Sequence, residues 1–202
     1  MTRAALLVPH LILLAALIGG CGSSPKSQFY TLSPSGAMPS AGGGAAVPPA
    51  PAAYSVSIGP VSVPEIVDRP QFVVSLAANQ VEFAEQARWA EPLNRAIPRV
   101  IAANLAHSLP DARVSASLRD GDYRVLVDIQ RFESVRGDAV TLDALWSVRP
   151  VKGAAPRTGR SVVREAVAGK DYDGLAAAHS KALGVLSDEI AQAIRAYGAP
   201  AK

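Results

Sequence analysis

Apolar and polar residues alternate along this chain with three distinct rhythms. Residues 4–18 form an unbroken apolar run except for His10, with Arg3 the only charged side chain before it. Further on, the period is two. Val56, Ile58, Val61 and Val63 predict a strand that bends at Gly59-Pro60, and Phe72–Leu76 with Val81–Phe83 predict a hairpin turning at Asn79-Gln80. Tyr123, Val125, Val127 and Ile129 alternate with Arg124, Leu126, Asp128 and Gln130. Val140, Leu142, Ala144, Trp146 and Val148 alternate with Thr141, Asp143, Leu145, Ser147 and Arg149. These two runs predict a long antiparallel hairpin across Arg136-Gly137-Asp138 with one apolar face. Arg113–Leu118 and Arg160–Val167 add two strands, the second of them making three adjacent antiparallel strands with that hairpin.

Twice the period becomes helical. Leu93, Ile97, Ile101 and Leu105 recur at i+4 after Trp89-Ala90-Glu91-Pro92, and Pro98 inside the stripe predicts a kink or a lost hydrogen bond. Leu175, His179, Ala182, Leu183, Leu186, Ile190, Ile194 and Tyr197 line one face of a second helix, with Asp171 or Asp173 as its cap and Gly198-Ala199-Pro200 as its stop. The predicted fold class is α/β: a mixed, largely antiparallel sheet with two long helices packed on it, in one domain over residues 28–198. Gln28–Leu32 is a short β-prone run that opens it. Ser33–Ala53 is rich in Ser, Pro, Gly and Ala and predicts a flexible loop.

The apolar run at the start ends in Ile18-Gly19-Gly20-Cys21, followed by small polar residues. A short positive segment, a brief apolar stretch and small residues describe a secretory signal over residues 1–20. The run is too short to span a bilayer, which takes about 20 residues. A branched apolar residue, two small residues and then a cysteine resemble a bacterial lipobox. Small residues let the chain enter a signal peptidase, and a thiolate is the nucleophile that takes a diacylglycerol group. Cys21 is the only cysteine in 202 residues, so the lipid is the only covalent group expected and no disulfide is. In many Gram-negative bacteria an aspartate after the acylated cysteine retains a lipoprotein in the inner membrane. Here that residue is Gly22, which points to the periplasmic face of the outer membrane. Residues 21–27 then form a lipid-anchored tether reaching at most ~25 Å when extended.

Composition adds little chemistry. Hydrophobic residues make up 49%, charged residues 18%, and the formal net charge is +3. The basic residues are scattered, with no stripe for nucleic acid. His107 and His179 lie in different helices without metal-ligand spacing, so no metal is expected, and His179 falls on a core-facing stripe. No Gly-x-Ser-x-Gly selects a nucleophile, so no catalytic residue is expected. The triple glycine Gly42-Gly43-Gly44 has no strand before it, no helix after it and no Gly-Lys-Ser/Thr, so it is not a phosphate loop. Trp89 and Trp146 read as packing residues, with a partner or headgroup anchor as the other reading of Trp89.

Phe29-Tyr30-Thr31-Leu32, Val61-Ser62-Val63-Pro64, Val67-Asp68-Arg69-Pro70-Gln71 and Arg88-Trp89-Ala90-Glu91-Pro92-Leu93, behind a lipobox, resemble the ABC-type transport auxiliary lipoproteins, the PqiC/YmbA family. The resemblance covers most of the mature chain. It implies an α/β domain on the inner face of the outer membrane, without catalytic residues. The implied partners are an MCE-domain protein and an inner-membrane permease of the same lipid transport system, which protects envelope integrity. A homo-oligomeric ring is expected, because one domain of this size cannot enclose the exit of an MCE tunnel. Cys21 carries over as the acylated site. Asp68, Arg69 and Trp89 carry over as a partner or structural motif, with Asp68 and Arg69 expected to brace a turn by charge-assisted hydrogen bonding. The rival reading is a stand-alone periplasmic lipid or small-molecule binder, which calls for a deep apolar pocket.

Overall fold

A computed structural model describes residues 25–35, 52–116 and 121–198. Cys21, the signal segment and most of the 33–53 stretch lie outside the described residues, as do Ser117 and Leu118 of the predicted fifth strand. The order of elements is β1 (Gln28–Tyr30), β2 (Tyr54–Ser62), β3 (Gln71–Ala77), β4 (Gln80–Trp89), α1 (Leu93–Ser108), β5 (Ala112–Ser115), β6 (Tyr123–Ser134), β7 (Ala139–Pro150), β8 (Arg157–Ala166) and α2 (Tyr172–Arg195). The class is the expected α/β with two long helices. Its strands divide between two sheets, however: a small one in the order β1-β4-β3 and a larger one in the order β5-β2-β6-β7-β8.

Both sheets are mixed. The long ladders β3–β4, β6–β7 and β7–β8 are antiparallel, while β1–β4, β2–β5 and β2–β6 are parallel. The hairpin read from the 123–130 and 140–149 alternation is present and longer than predicted, with Gly137 at φ +72° in its turn. The bend foreseen at Gly59-Pro60 is a register shift between Ile58 and Val61 against β6. It sits where Pro60, lacking an N–H, would otherwise leave a gap in a central strand.

α1 covers β2 and β5, α2 covers β7 and β8, and the two helices pack on each other. Leu93, Ile97, Ile101 and Leu105 of α1 are buried, as are Leu175, Leu183, Leu186, Ile190 and Ile194 of α2. They meet the inward rows Val125, Val127 and Ile129 of β6 and Val140, Leu142, Ala144 and Val148 of β7, which are buried too. α1 runs through Pro98 without interruption. Its carbonyl at Pro92 accepts from the N–H groups of Arg95 and Ala96, both at 2.9 Å, so Pro92 stands just outside the helix. Asp171 caps α2, its Oδ1 accepting from Gly174 N–H at 2.8 Å.

The segment after β1 is stitched to both helices. Leu32 is buried, Ser33 N–H donates to Ser180 Oγ at 3.1 Å, and Ser35 N–H donates to Asn104 Oδ1 at 2.8 Å. Asn104 is itself buried and reaches Ser187 Oγ at 3.3 Å. A buried amide of this kind stays favourable only while both its ends are paired. No described helix is long and apolar enough to cross a membrane.

Candidate functional site

Three of the stretches singled out in the sequence converge on one corner of the small sheet. Residues 64–69 form a tight turn, with Val67 N–H on Pro64 O at 3.0 Å and Arg69 N–H on Val67 O at 2.8 Å. Pro70 O then accepts from Trp89 N–H at 2.7 Å, and Gln71 stands in register with Arg88. On the other edge of β4, Tyr30 pairs with Trp89, and Ala90 N–H donates to Tyr30 O at 2.8 Å. Glu91 forms an ion pair with Arg99, whose guanidinium also reaches Leu32 O at 3.3 Å. Residues distant in sequence thus hold the entrance of the chain, the turn and the start of α1 in one frame.

Trp89 is the centre of this frame. It is 6% exposed and stacks on Phe72 with ring centroids 3.9 Å apart. Its edge faces Phe132 and His179, each at 6.2 Å. It is a packing residue, and its burial keeps it from reaching a headgroup layer. Trp146 also packs, donating its Nε1–H to Ser161 Oγ at 3.0 Å and lying where a side chain on Gly159 would collide with its ring.

Asp68 and Arg69 part company. Asp68 Oδ1 accepts from Asn94 Nδ2 at 3.4 Å and ties the turn to α1. Arg69 does not brace the turn by a charged hydrogen bond. Its guanidinium lies over the Phe83 ring at 4.0 Å, and its Nε is buried without a partner among the described residues. A cation over an aromatic face is worth about 0.5–1 kcal/mol at an exposed site. The contact orients Phe83, which stays 40% exposed at the free end of the β3–β4 hairpin beside Leu76 (55%) and Val81 (40%).

Three hollows lie at the surface of the described residues. A depression of about 650 Å³ lies on the face of the large sheet turned away from the helices, walled by Pro60, Leu126, Leu145 and Arg160. A groove of about 370 Å³ runs between the segment after β1 and α2, lined by Phe29, Ser33, Asp173 and Lys181. A third, of about 160 Å³, lies under Ile66, Val73 and Val81. All three open to solvent. The outward Leu126 and Leu145 are apolar residues on what the sequence presents as a polar face, and that mismatch is the signal that could have marked it.

Titratable groups sit in structural roles. Two hydrogen bonds from Arg160, at 2.9 and 2.6 Å, hold the Asp143 carboxyl below its ordinary range. The Ser55 hydroxyl and backbone N–H do the same for Asp122. Ser134 and His179 form a Ser–His contact, 2.8 Å from Oγ to Nε2. The pair is sealed in the core, the imidazole stacked on Phe132 at 3.8 Å, and no substrate can reach it. Among the described residues no group of His, Cys, Asp and Glu is placed to hold a metal ion.

Burial lowers the His179 pKa from 6.5 to about 3 and keeps the ring neutral. In the unfolded chain the ring protonates near 6.5. Its contribution to stability is therefore complete above about pH 6.5 and drains away as pH falls toward 3, at up to about 1.4 kcal/mol per pH unit. Urea unfolding at about pH 7 and pH 5 should show this loss. His179→Gln, which keeps a partner for Ser134 but cannot protonate, should flatten it. An unchanged slope in the variant would assign the loss to other groups.

A family model described as the ABC-type transport auxiliary lipoprotein component matches residues 30–191. Among curated proteins none matches. The fold is similar to that of a crystal structure described as an uncharacterized protein, at 18% identity and TM-score 0.69, covering 84% of this chain and 99% of the other. It is also similar to that of a Xanthomonas campestris protein of family DUF330, at 18% identity and TM-score 0.61, covering 82% and 93%.

Proposed function

The chain belongs to the family of ABC-type transport auxiliary lipoprotein components, and from that premise we propose that it is a docking subunit anchored by lipid on Cys21. The anchor lies in the inner leaflet of the outer membrane. The domain receives an MCE-domain protein that, with an inner-membrane permease, carries lipid between the membranes and supports envelope integrity. It acts without catalysis, by position. The observation that carries this reading is the distance in sequence between the two ends of the tether. Cys21 precedes β1 by only seven residues, so the folded body stays within ~25 Å of the lipid. Confinement of this kind raises the effective concentration of a partner at the same surface.

The interior supports docking over carrying. Large side chains such as Leu142, Leu175, Leu183 and Ile190 fill the space between sheet and helices. A lipid tail would need room there that these residues occupy. Exposed apolar side chains instead gather outside, at Leu76, Val81 and Phe83 on the hairpin end, where Arg69 holds Phe83 in place. Patches of this kind on a soluble domain mark contact surfaces. A ring of copies follows from the size of the domain, since one copy cannot surround a tunnel exit.

A photo-crosslinking residue at position 76 or 83, in cells carrying a tagged MCE-domain partner, should yield an adduct with that partner. The adduct should disappear when Cys21 is replaced by serine. Native mass spectrometry of the crosslinked material should show more than one copy of this chain. Adducts confined to unrelated envelope proteins, or a single copy in every complex, would contradict the reading.

A further inference from the structure

The face of the large sheet turned away from the helices carries a conflict in its charge pattern. Arg124 on β6 and Arg149 on β7 are direct cross-strand partners, both exposed. Neither forms an ion pair with a described residue. Like charges directly opposite each other on one face of a sheet oppose folding. The same end adds exposed Arg113, in register with Ser55, and exposed Lys152. Asp122, two residues before Arg124, is engaged by the Ser55 hydroxyl at 2.8 Å and N–H at 2.7 Å. Asp122 keeps its charge and lies near enough to Lys152 to interact with it, so the cations of this end left without an ion pair among the described residues are Arg113, Arg124 and Arg149.

Beside the arginines the surface becomes apolar and concave. Leu126 lies one same-face step, about 7 Å, along β6 from Arg124. With Pro60 and Leu145 it walls the depression of about 650 Å³. At the far side of that depression Arg160 is already held by Asp143. Asp128, in the same lining, has only Ser62 and Gln130 as donors among the described residues. The free cations therefore stand at one end and a free carboxylate past Leu126, which gives the surface a direction and directs the carboxylates of a partner to the arginine end.

We infer that this face, the basic end together with the Leu126–Leu145 depression, is a docking surface for an acidic segment of a protein partner with apolar side chains spaced beside its carboxylates. A flat anionic membrane would meet the arginines but has no side chain to place in the depression. The position of the surface agrees. The tether enters where Tyr30 packs on Tyr172 at the start of α2. The basic end lies past the other end of that helix, where Tyr123 Oη donates to Gly198 O at 3.0 Å. The 24 residues of α2 between them span about 36 Å, so this is the part of the body that the anchor constrains least. The inference deepens the docking reading by naming a second surface and the chemistry of its partner.

The test uses the mature lipidated protein in vesicles of neutral phosphatidylcholine. The probe is a labelled peptide of Glu-Ser-Leu-Ser repeats, which sets glutamate and leucine on one face when extended, with a Lys-Ser-Leu-Ser peptide as its counterpart. The acidic peptide should bind, and added salt should weaken it. The double variant Arg124→Glu/Arg149→Glu should lower its affinity about tenfold or more, while Arg95→Glu/Lys181→Glu, with the same change in charge, should have little effect. The single variant Arg124→Glu should unfold at a higher temperature than the parent while binding less, because it turns a repelling pair into an attracting one. That split separates a surface kept for binding from one kept for folding. Absence of binding, equal loss in both double variants, or a lower unfolding temperature for Arg124→Glu would overturn the inference. So would bridging to added vesicles containing phosphatidylglycerol that the arginine variants abolish while the peptide stays bound, which would assign the surface to a membrane. None of these results bears on the hairpin crosslink, so the docking reading is judged separately.

Discussion

Replacing Trp89 by alanine should cost about 3–5 kcal/mol of folding stability. Among the described residues the indole links the rings of the small sheet to a ring of the large one. It stacks on Phe72 of the small sheet and faces Phe132 of the large sheet and His179 of α2. Removing it opens a cavity at the junction between the sheets, which the flat neighbours cannot close by small movements. Domains of this size have about 5–15 kcal/mol in all, so the variant should unfold at a much lower urea concentration with an unchanged slope. Trp89→Phe keeps a stacked ring on Phe72 and should lose less than half as much. Equal losses for both, or a loss under about 1 kcal/mol for alanine, would mean that the junction is held by the backbone bond from Trp89 N–H to Pro70 O instead.

Replacing Cys21 by serine should be all or none. A hydroxyl at this position cannot form the thioether that carries the diacylglycerol, so labelled palmitate should no longer enter the protein. One acyl chain holds a protein at a membrane only marginally, while two or three hold it firmly. The body past residue 28 offers no other spanning element among its described helices. The variant should therefore leave the membrane fraction, and it should lose whatever the anchored protein does for lipid transport, while its folded domain unfolds at the same urea concentration as the parent. A Cys21→Ser protein that still sedimented with outer membranes would show that protein contacts alone retain it.

Much of this fold could be read from the order of its residues, where local pattern and tertiary packing agree. The alternations over 123–130 and 140–149 give the β6–β7 hairpin because its partner lies next in the chain. The α2 stripe and its Asp171 cap are equally local. The parallel ladders are not. β1 pairs with β4 in the register Tyr30 to Trp89, and nothing near Tyr30 encodes a partner so far along the chain. That pairing places β1 in the small sheet, on the edge of β4 opposite β3. β4 is longer than its Val81–Phe83 core suggests because Ala84, Ala87 and Trp89 are its inward residues, and the alanines with Glu85 and Gln86 carry little β character of their own.

The site was legible in a similar, partial way. The stretches around Asp68, Arg69 and Trp89 were visible as separate words, and the fold brings them to one corner. What each does there depends on partners the sequence cannot show. Asp68 meets Asn94 as a brace, whereas Arg69 turns its guanidinium to Phe83, a residue that belongs to another strand. The facing arginines at 124 and 149 are an ordinary alternation until β6 and β7 are put in register.

The central claim is that a folded domain is held at a membrane through one sulfur atom. It is tested most directly by the intact mass and first residue of the native protein purified from envelopes. The account predicts a polypeptide that begins at Cys21 and exceeds the mass of its amino acids by a diacylglycerol group, with or without a further acyl chain on its nitrogen. A protein beginning at another residue, or weighing only what residues 21–202 weigh, would contradict it.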